Sequence, residues 1–380
     1  MPSPKATALE QSESINVVDG GDAVVVTRGE TSRRIPARWL RLLACGPADI
    51  HPKNGQRLFD SVSLPSEVRV RNVTQVEESG NWEVRFESET SNVIIEIERL
   101  LACIETEEVN GPEQTPFSSA DPSVRAVDYE TLESPAALRS FLEMLFRRGY
   151  ARVRDVPSRP NELERFARRL GVNGSVGFSG VFEETVSNDG EAHANAREDS
   201  LPHTAEPYRD PPPAFHMRLC LETSGSGGEM VVVDGLTAAA TLAAEEPLAA
   251  VELTRWPMLF QYRDETADFR RSALLLETSS SGSLRRITFN DRAAVDFVCP
   301  EEQLPVCSSA YDKLARIVLR EGLQNTFRVQ TGDLLILDNE RVLHGRRRFA
   351  AGGSRRLACG YLDRTELFST WRRARFGALD

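Results

Sequence analysis

A proline-, serine- and acid-rich stretch divides this chain of 380 residues into two parts of different character. It runs from residue 105 to residue 125 (ETEEVNGPEQTPFSSADPSVR) and has neither the period of a strand nor that of a helix. Segments of this composition commonly separate domains. We therefore predict a disordered N-terminus over residues 1–15, a small domain over residues 16–104, a linker over residues 105–125 and a large domain over residues 126–380.

The small domain is predicted to be rich in short strands. The segments INVVD, AVVVTRG, EVRVRNV, NWEVRFES and NVIIEIERL are apolar or alternate with the period of half-buried strands, and IPARWLRLLA has the pattern of a helix. We expect this domain to be held by an apolar core. Its predicted members include Trp39, Leu43, Trp82, Phe86 and Ile95.

The large domain is predicted to begin with helices and to continue with strands. The segment SPAALRSFLEMLFRRGY has helical spacing of its apolar residues before Gly149, namely Leu138, Phe141, Leu142, Leu145 and Phe146. In the next helical segment, Asn161 and Glu164 have the spacing of an N-terminal cap. After about residue 212 strands dominate, among them FHMRLCLE, EMVVVDG, DLLILD and RLACGYLD. This order predicts an α+β, mainly β fold: a C-terminal double-stranded β-helix (jelly roll) with flanking helices, beside the small β-rich N-terminal domain.

Composition narrows the class of protein. The formal net charge of −11 argues against a nucleic-acid partner, which would require a basic surface. No segment approaches the roughly 18 apolar residues of a membrane helix, and the polar N-terminus lacks the apolar core of a signal peptide. The 6 cysteines are few and scattered, which is typical of reduced thiols. We expect a cytoplasmic protein without a nucleic-acid or membrane partner.

Two histidines in distant segments indicate a candidate metal-binding site. His203 lies in LPHTAEPYRDPPPAF, and His344 lies about 140 residues later in LDNERVLHGRRRF. Two imidazoles and a carboxylate two residues after the first would form the facial triad that binds non-haem Fe(II). Here that carboxylate position is Ala205. His216, on an apolar strand soon after His203, is interpreted as a structural residue with satisfied hydrogen bonds.

The order of the motifs resembles a known family. HTAEPYRDPPP, GGEMVVVDG, GDLLILDNERVLHGR and RRLACGYLD follow one another as in the gamma-butyrobetaine and trimethyllysine hydroxylase branch of the TauD-like Fe(II)/2-oxoglutarate oxygenases. The resemblance implies that His203 and His344 bind iron and that Arg355 binds the distal carboxylate of 2-oxoglutarate. It also implies a small-molecule substrate, O2 as a reactant and a homodimer, since members of this branch often pair.

Ala205 departs from the hydroxylase pattern. In the radical halogenases of the superfamily this position is alanine or glycine, and a halide takes the vacant coordination position. Halogenation with chloride as a partner is therefore our first hypothesis, with Ala205 marking the open position. A hydroxylase or desaturase that uses water, substrate or Glu206 as the third ligand is the second. On an extended segment Glu206 would face away from the metal. A non-redox or non-catalytic ligand-binding protein is the third.

Two further departures concern zinc and the substrate. At the positions of the zinc ligands found in relatives this chain has Ala44, Gly46 and Asp49, so we expect no structural zinc. Aligned by spacing, the aromatic cage of the betaine hydroxylases corresponds to Phe178, Phe182, Asn195 and Tyr361. These residues and His193, in a polar loop before His203, are the candidate substrate contacts. A trimethylammonium compound, an amino acid or another small polar metabolite would be compatible with them.

Overall fold

The computed structural model of this protein describes residues 13–76, 81–96, 99–100, 111–119, 126–172, 180–187, 198–280, 282–350 and 352–375. Its contacts divide the chain into two compact units, Met1–Gly111 and Pro112–Asp380. Of the residues singled out in the sequence, Phe178, His193 and Asn195 lie outside the described residues.

The described part of the N-terminal unit includes two three-stranded antiparallel sheets and the short helix α1. Its elements are β1 (Glu13–Val18), β2 (Ala23–Arg28), β3 (Thr31–Pro36), α1 (Ala37–Arg41), β4 (Val70–Gln75), β5 (Trp82–Phe86) and β6 (Val93–Ile95). Strand β3 has no apolar alternation and was not predicted. Residues 13–15 were predicted to be disordered, but Glu13 pairs with Arg28 and begins β1.

The core of this unit contains four of its five predicted members: Leu43, Trp82, Phe86 and Ile95. The fifth prediction was wrong, because Trp39 is 63% exposed. Helix α1 has only five residues and buries Ala37 and Leu40 on one face, which leaves Trp39 on the other. Asp49, at one of the positions compared with zinc ligands, forms an ion pair with Arg41 (Oδ1 to Nη1, 2.9 Å).

The C-terminal unit is mixed and rich in sheet. Its strands are β7 (Val127–Asp128), β8 (Tyr150–Arg154), β9 (Phe182–Ser187), β10 (Ser200–His203), β11 (Phe215–Ser224), β12 (Met230–Asp234), β13 (Met258–Arg263), β14 (Asp268–Ala273), β15 (Leu276–Thr278), β16 (Leu284–Ile287), β17 (Ala294–Phe297), β18 (Gln324–Phe327), β19 (Leu334–Asp338), β20 (Val342–Arg346) and β21 (Ser354–Leu362). Its helices are α2 (Pro135–Arg148), α3 (Glu162–Arg169), α4 (Gly235–Glu245), α5 (Pro247–Arg255), α6 (Leu304–Val318) and α7 (Arg364–Arg375).

Two sheets dominate this unit. One has six strands in the order β7-β8-β19-β11-β21-β9, and the other has four in the order β10-β20-β12-β18. Neighbouring strands are antiparallel except for β7 and β8. Smaller sheets are formed by β14-β13-β17 and by β15-β16. The predicted mixed, strand-rich character is confirmed.

Helix α2 follows its predicted pattern. All five apolar residues of the predicted stripe are buried: Leu138, Phe141, Leu142, Leu145 and Phe146. Gly149 ends the helix at φ 77°, where its amide donates to the Leu145 carbonyl at 2.7 Å. The predicted cap of α3 was wrong, because Asn161 has φ 60° and its side chain makes no capping hydrogen bond.

Strand β11 connects the packing of this unit to its polar interior. Met217 and Leu219 join the apolar cluster that contains the buried face of α2. The alternate residues His216 and Arg218 project from the opposite face, where both contact His344 of the four-stranded sheet. A layer of polar side chains therefore lies between the six-stranded and the four-stranded sheets.

Part of the segment predicted as a linker is packed. Phe117 is 4% exposed, its ring lies 4.9 Å from that of Tyr150, and its amide donates to Asp234 Oδ2 at 2.9 Å. Arg341 binds the same carboxylate and also donates to the Thr115 carbonyl at 2.9 Å. No helix in the part of the chain that the structure describes is long and apolar enough to cross a membrane.

Candidate active site

His203 and His344 lie opposite each other on neighbouring antiparallel strands. They are register partners of β10 and β20, and their ring centroids are 4.9 Å apart. His203 Nδ1 donates to the Leu201 carbonyl at 2.7 Å, which leaves the lone pair on Nε2. Burial lowers the pKa of His203 and holds that of His344 well below its usual value, so both rings are neutral at pH 7. Two neutral imidazoles are thus brought together as the sequence predicted.

Ala205 is held firmly in place two residues after His203. Its amide donates to Asn339 Oδ1 at 2.6 Å, and Asn339 Nδ2 donates to the Ala205 carbonyl at 3.0 Å. Asn339 Nδ2 also reaches the Pro213 carbonyl at 2.9 Å, and both Ala205 and Asn339 are buried. The backbone at this position is therefore fixed, while its side chain is a methyl group without any ligand atom.

Glu206 is engaged elsewhere in the site. Tyr361 Oη donates to Glu206 Oε1 at 3.1 Å, and Arg209 forms an ion pair with Oε2. The extended backbone assumed from the sequence is absent here, because β10 ends at His203 and Glu206 has φ 46°. The orientation of its side chain is therefore not set by strand alternation. Both carboxylate oxygens have partners.

Arg218 is a site residue that the sequence interpretation missed. Its Nη1 donates to His344 Nε2 at 3.4 Å, and its Nη2 donates to Glu184 Oε2 at 2.6 Å. Arg218 Nε is buried and has no hydrogen-bond partner in the described structure. The signal was present in the sequence, because a charged residue at i+2 from His216 on an apolar strand must share its face.

His216 is not the satisfied structural residue that we expected. Its ring is 2% exposed, and neither ring nitrogen has a hydrogen-bond partner among the described residues. Its centroid lies 5.2 Å from that of His344 and 4.8 Å from that of Tyr361. Burial places the pKa of His216 well below its usual value, so this ring is neutral too. The described part of the site therefore contains three imidazoles.

Arg355 is a buried cation in the same polar layer. It lies on β21 and is 3% exposed. Its Nη1 donates to the Gly228 carbonyl at 2.8 Å and its Nη2 contacts the Met230 sulfur at 3.7 Å, while Nε has no partner in the described structure. Burial lowers the pKa of Arg355 to about 10, with a further contribution from the charge of Arg218. The group stays protonated at pH 7, and no carboxylate of the described residues pairs with it.

The predicted substrate contacts are only partly described. Phe182 lies on β9 with its ring 5.8 Å from that of Tyr361, which is buried. A cavity of about 580 Å³ opens beside His203. It is lined by Glu198, Asp199, Ser200, Leu201, Pro202, His203, Tyr208, Gln261, Tyr262, Asn290, Asp291, Arg292 and Ala293. Most of these residues were not predicted, because they come from loops and from the β13 region, whose position depends on tertiary packing.

The donor set fits Fe(II) at two positions and not at the third. His203 and His344 supply neutral nitrogen donors on facing strands, as this metal requires. Ala205 supplies none, and no described His, Cys, Asp or Glu forms a compact three-ligand group with this pair. The one such group among the described residues is Glu184, His216 and Cys359. In addition, Arg218 occupies the lone pair of His344 Nε2 and must leave it before that atom can bind a metal.

Comparison with known proteins gives the family. The sequence profile of the taurine catabolism dioxygenase TauD, TfdA family matches residues 113–361. The gamma-butyrobetaine dioxygenase of Pseudomonas sp. (strain AK-1) is 29% identical over 222 residues, which are 58% of this chain and 58% of that protein. The mitochondrial trimethyllysine dioxygenase of Bos taurus is 27% identical over 259 residues, 66% of this chain and 60% of that protein. The match thus spans less than two thirds of either relative.

One solved structure is similar in fold. PvcB from Pseudomonas aeruginosa has a TM-score of 0.50 at 18% identity, over 66% of this chain and 91% of that chain. The predicted relation to gamma-butyrobetaine and trimethyllysine dioxygenases is confirmed by the two curated relatives. Because the family profile covers well over half of the sequence, the chain belongs to the TauD, TfdA family and thereby to the Fe(II)/2-oxoglutarate-dependent dioxygenase superfamily of oxidoreductases.

Proposed function

We propose that this protein halogenates a C–H bond of a small polar metabolite, using Fe(II), 2-oxoglutarate and O2. His203 and His344 would hold the iron, and chloride would take the coordination position left open at Ala205. Bound iron and 2-oxoglutarate supply the oxidising power for this reaction. In balance, substrate R–H, chloride, a proton, 2-oxoglutarate and O2 give R–Cl, succinate, carbon dioxide and water.

The observation that carries the proposal is the fixed vacancy at Ala205. Asn339 binds the amide and the carbonyl of Ala205 at 2.6 and 3.0 Å, so the backbone cannot shift to bring another side chain into that position. Glu206 is bound by Arg209 and Tyr361. An exchangeable anion from solvent is therefore the simplest third ligand.

Local charge supports an anion at this position. A methyl group in place of a carboxylate removes one negative charge, and the guanidinium of Arg218, which is paired with Glu184, directs an N–H group at His344. The two histidines are neutral, so they do not offset either change. Opposite charges attract strongly in a partly desolvated site. Arg355, a buried cation without a described carboxylate partner, supports binding of the distal carboxylate of 2-oxoglutarate.

The cavity beside His203 supports a small polar substrate. Its wall carries the carboxylates of Glu198 and Asp291, the guanidinium of Arg292 and the phenol of Tyr262. An amino acid would find partners here for both its ammonium and its carboxylate group. The two curated relatives are named for substrates that carry a trimethylammonium group, which is compatible with the same wall.

Three broader proposals accompany this function. The six-stranded and four-stranded antiparallel sheets, with the polar layer between them, support assignment of the C-terminal unit as a jelly roll. The composition supports a cytoplasmic location. The resemblance to the gamma-butyrobetaine branch supports a homodimer.

The second candidate is a ligand-binding protein without redox chemistry. The hydrogen bond from Arg218 to His344 Nε2 favours it, because that bond competes with metal binding. A hydroxylase or desaturase with water as third ligand differs from the halogenase only in the occupant of the open position. The experiment below separates the three.

The test is an anaerobic titration of Fe(II) and 2-oxoglutarate, followed by turnover with O2. Chloride is compared with sulfate at equal ionic strength. We expect the metal-to-2-oxoglutarate charge-transfer band to shift with chloride, and Ala205→Asp to abolish that shift because its carboxylate displaces the halide. A band and succinate formation that do not respond to chloride would favour water as third ligand. Absence of both the band and succinate would favour the binding protein. His203→Ala is the control that should remove the band.

A further inference from the structure

Arg218 places a permanent positive charge at the centre of the polar layer. Its Nη1 donates to His344 Nε2 at 3.4 Å, and its Nη2 donates to Glu184 Oε2 at 2.6 Å. A guanidinium does not lose its proton in proteins. A cation is therefore present beside His344 even when no metal is bound.

Arg355 is a second buried cation near the first. Register pairs Arg218 with Cys359 on β21, and Arg355 lies four residues further along that strand. Four residues correspond to about 13 Å of strand at about 3.3 Å per residue, and two long side chains that start this far apart on one face can each reach one end of a short molecule. The two charges influence each other, since Arg218 contributes to the lowered pKa of Arg355.

Among the described residues, the two buried guanidinium groups of this region outnumber the carboxylates that pair with them. Arg218 pairs with Glu184, whereas Arg355 has no carboxylate partner among the residues that the structure describes. Each guanidinium also retains a buried Nε without a described hydrogen-bond partner. Unpaired buried charge of this kind is costly unless a counter-ion binds.

We propose that the metal-free protein binds a short dicarboxylate of the 2-oxoglutarate class between Arg355 and Arg218. One carboxylate pairs with Arg355, and the other end of the molecule pairs with Arg218. Arg218 then shares its donors between Glu184 and the ligand and releases His344 Nε2. In this arrangement the guanidinium of Arg218 supplies the positive charge that a metal would otherwise supply to that end of the ligand. Binding therefore does not require a metal.

The proposal is tested by isothermal titration calorimetry of 2-oxoglutarate into the full-length protein in EDTA. We expect binding in the absence of metal, at least about tenfold weaker binding in Arg218→Leu and in Arg355→Leu, and similarly weaker binding of the monocarboxylate 2-oxobutyrate to the unaltered protein. Arg356→Leu is the matched control. It removes a guanidinium from the neighbouring position of β21 that pairs with the exposed Glu183 and Glu222, and it should bind as the unaltered protein does.

Glu184→Gln gives a result of opposite sign. It removes the carboxylate that competes for Arg218, so 2-oxoglutarate should bind more tightly, and a folding defect cannot produce that outcome. Binding that requires metal, or metal-free binding that Arg218→Leu leaves unchanged, would overturn the inference. The proposed halogenation is judged separately by chloride response and succinate formation, so either proposal can fail while the other stands.

Discussion

Asn339→Ala should destabilise the C-terminal unit by removing the hydrogen bonds with which Asn339 holds the backbone of Ala205. The substitution deletes the hydrogen bonds of 2.6, 3.0 and 2.9 Å to the amide and carbonyl of Ala205 and the carbonyl of Pro213. Asn339 is 3% exposed, so these backbone groups would be left without partners away from bulk solvent. An unsatisfied buried polar group costs about 1–3 kcal/mol, and the lower bound for the three groups is about 3 kcal/mol.

For a unit of this size, about 1 kcal/mol corresponds to about 2–4 °C in the melting temperature. Differential scanning calorimetry should therefore show the C-terminal transition of Asn339→Ala lowered by about 6–12 °C. Asn290→Ala is a milder comparison, because Asn290 makes longer hydrogen bonds to Thr204 (3.1 Å) and Ala293 (3.2 Å), and it should lower the transition less. A shift below about 2 °C in Asn339→Ala would refute the argument that these hydrogen bonds stabilise the backbone around Ala205. The chloride response of the iron complex should weaken in the same variant, because position 205 is no longer held.

Three further outcomes follow from the site. Glu206→Ala should leave the Fe(II) dissociation constant within about threefold, since Tyr361 already holds the carboxylate, and a tenfold loss would identify Glu206 as a ligand. Arg218→Leu should tighten binding of Co(II), an optical substitute for Fe(II), by about tenfold because His344 Nε2 is released, and unchanged affinity would contradict this. The pKa of His216 is lowered in the folded chain, so below about pH 6.5 the unfolded chain binds more protons than the folded chain does. The unfolding free energy therefore decreases as the pH is lowered. His216→Met should flatten that fall between pH 7.5 and 5.5, as measured by denaturant unfolding.

The elements that the sequence predicted are those with a strong local signal. The helical stripe of α2 and the left-handed Gly149 depend on neighbouring residues alone, and both are confirmed. The meeting of His203 and His344 was anticipated through family resemblance, and the register of β10 with β20 provides it. The exposure of Trp39 was not predictable from its residue type, because the orientation of a one-turn helix depends on the sheet beneath it.

The missed parts of the site depend on contacts between distant segments. Alternation indicates that His216 and Arg218 share a face of β11, but only packing of the four-stranded sheet against that face brings them to His344. The backbone turn at Glu206 likewise follows a residue, Ala205, that is hydrogen-bonded to Asn339 of a distant segment. The sequence indicates which residue types lie on this face of the strand. Their contacts with residues of distant segments depend on the three-dimensional structure.

The packed segment around Phe117 determines at which residue a folded C-terminal fragment can begin. Thr115 and Phe117 bind the two partners of the buried ion pair between Arg341 and Asp234, and Arg341 directly precedes the strand that carries His344. An expressed fragment that starts at residue 126, as the linker composition suggested, would leave this ion pair without those backbone partners. A fragment that starts at residue 112 keeps them. Limited proteolysis at this segment should therefore release an unstable C-terminal piece rather than a folded one.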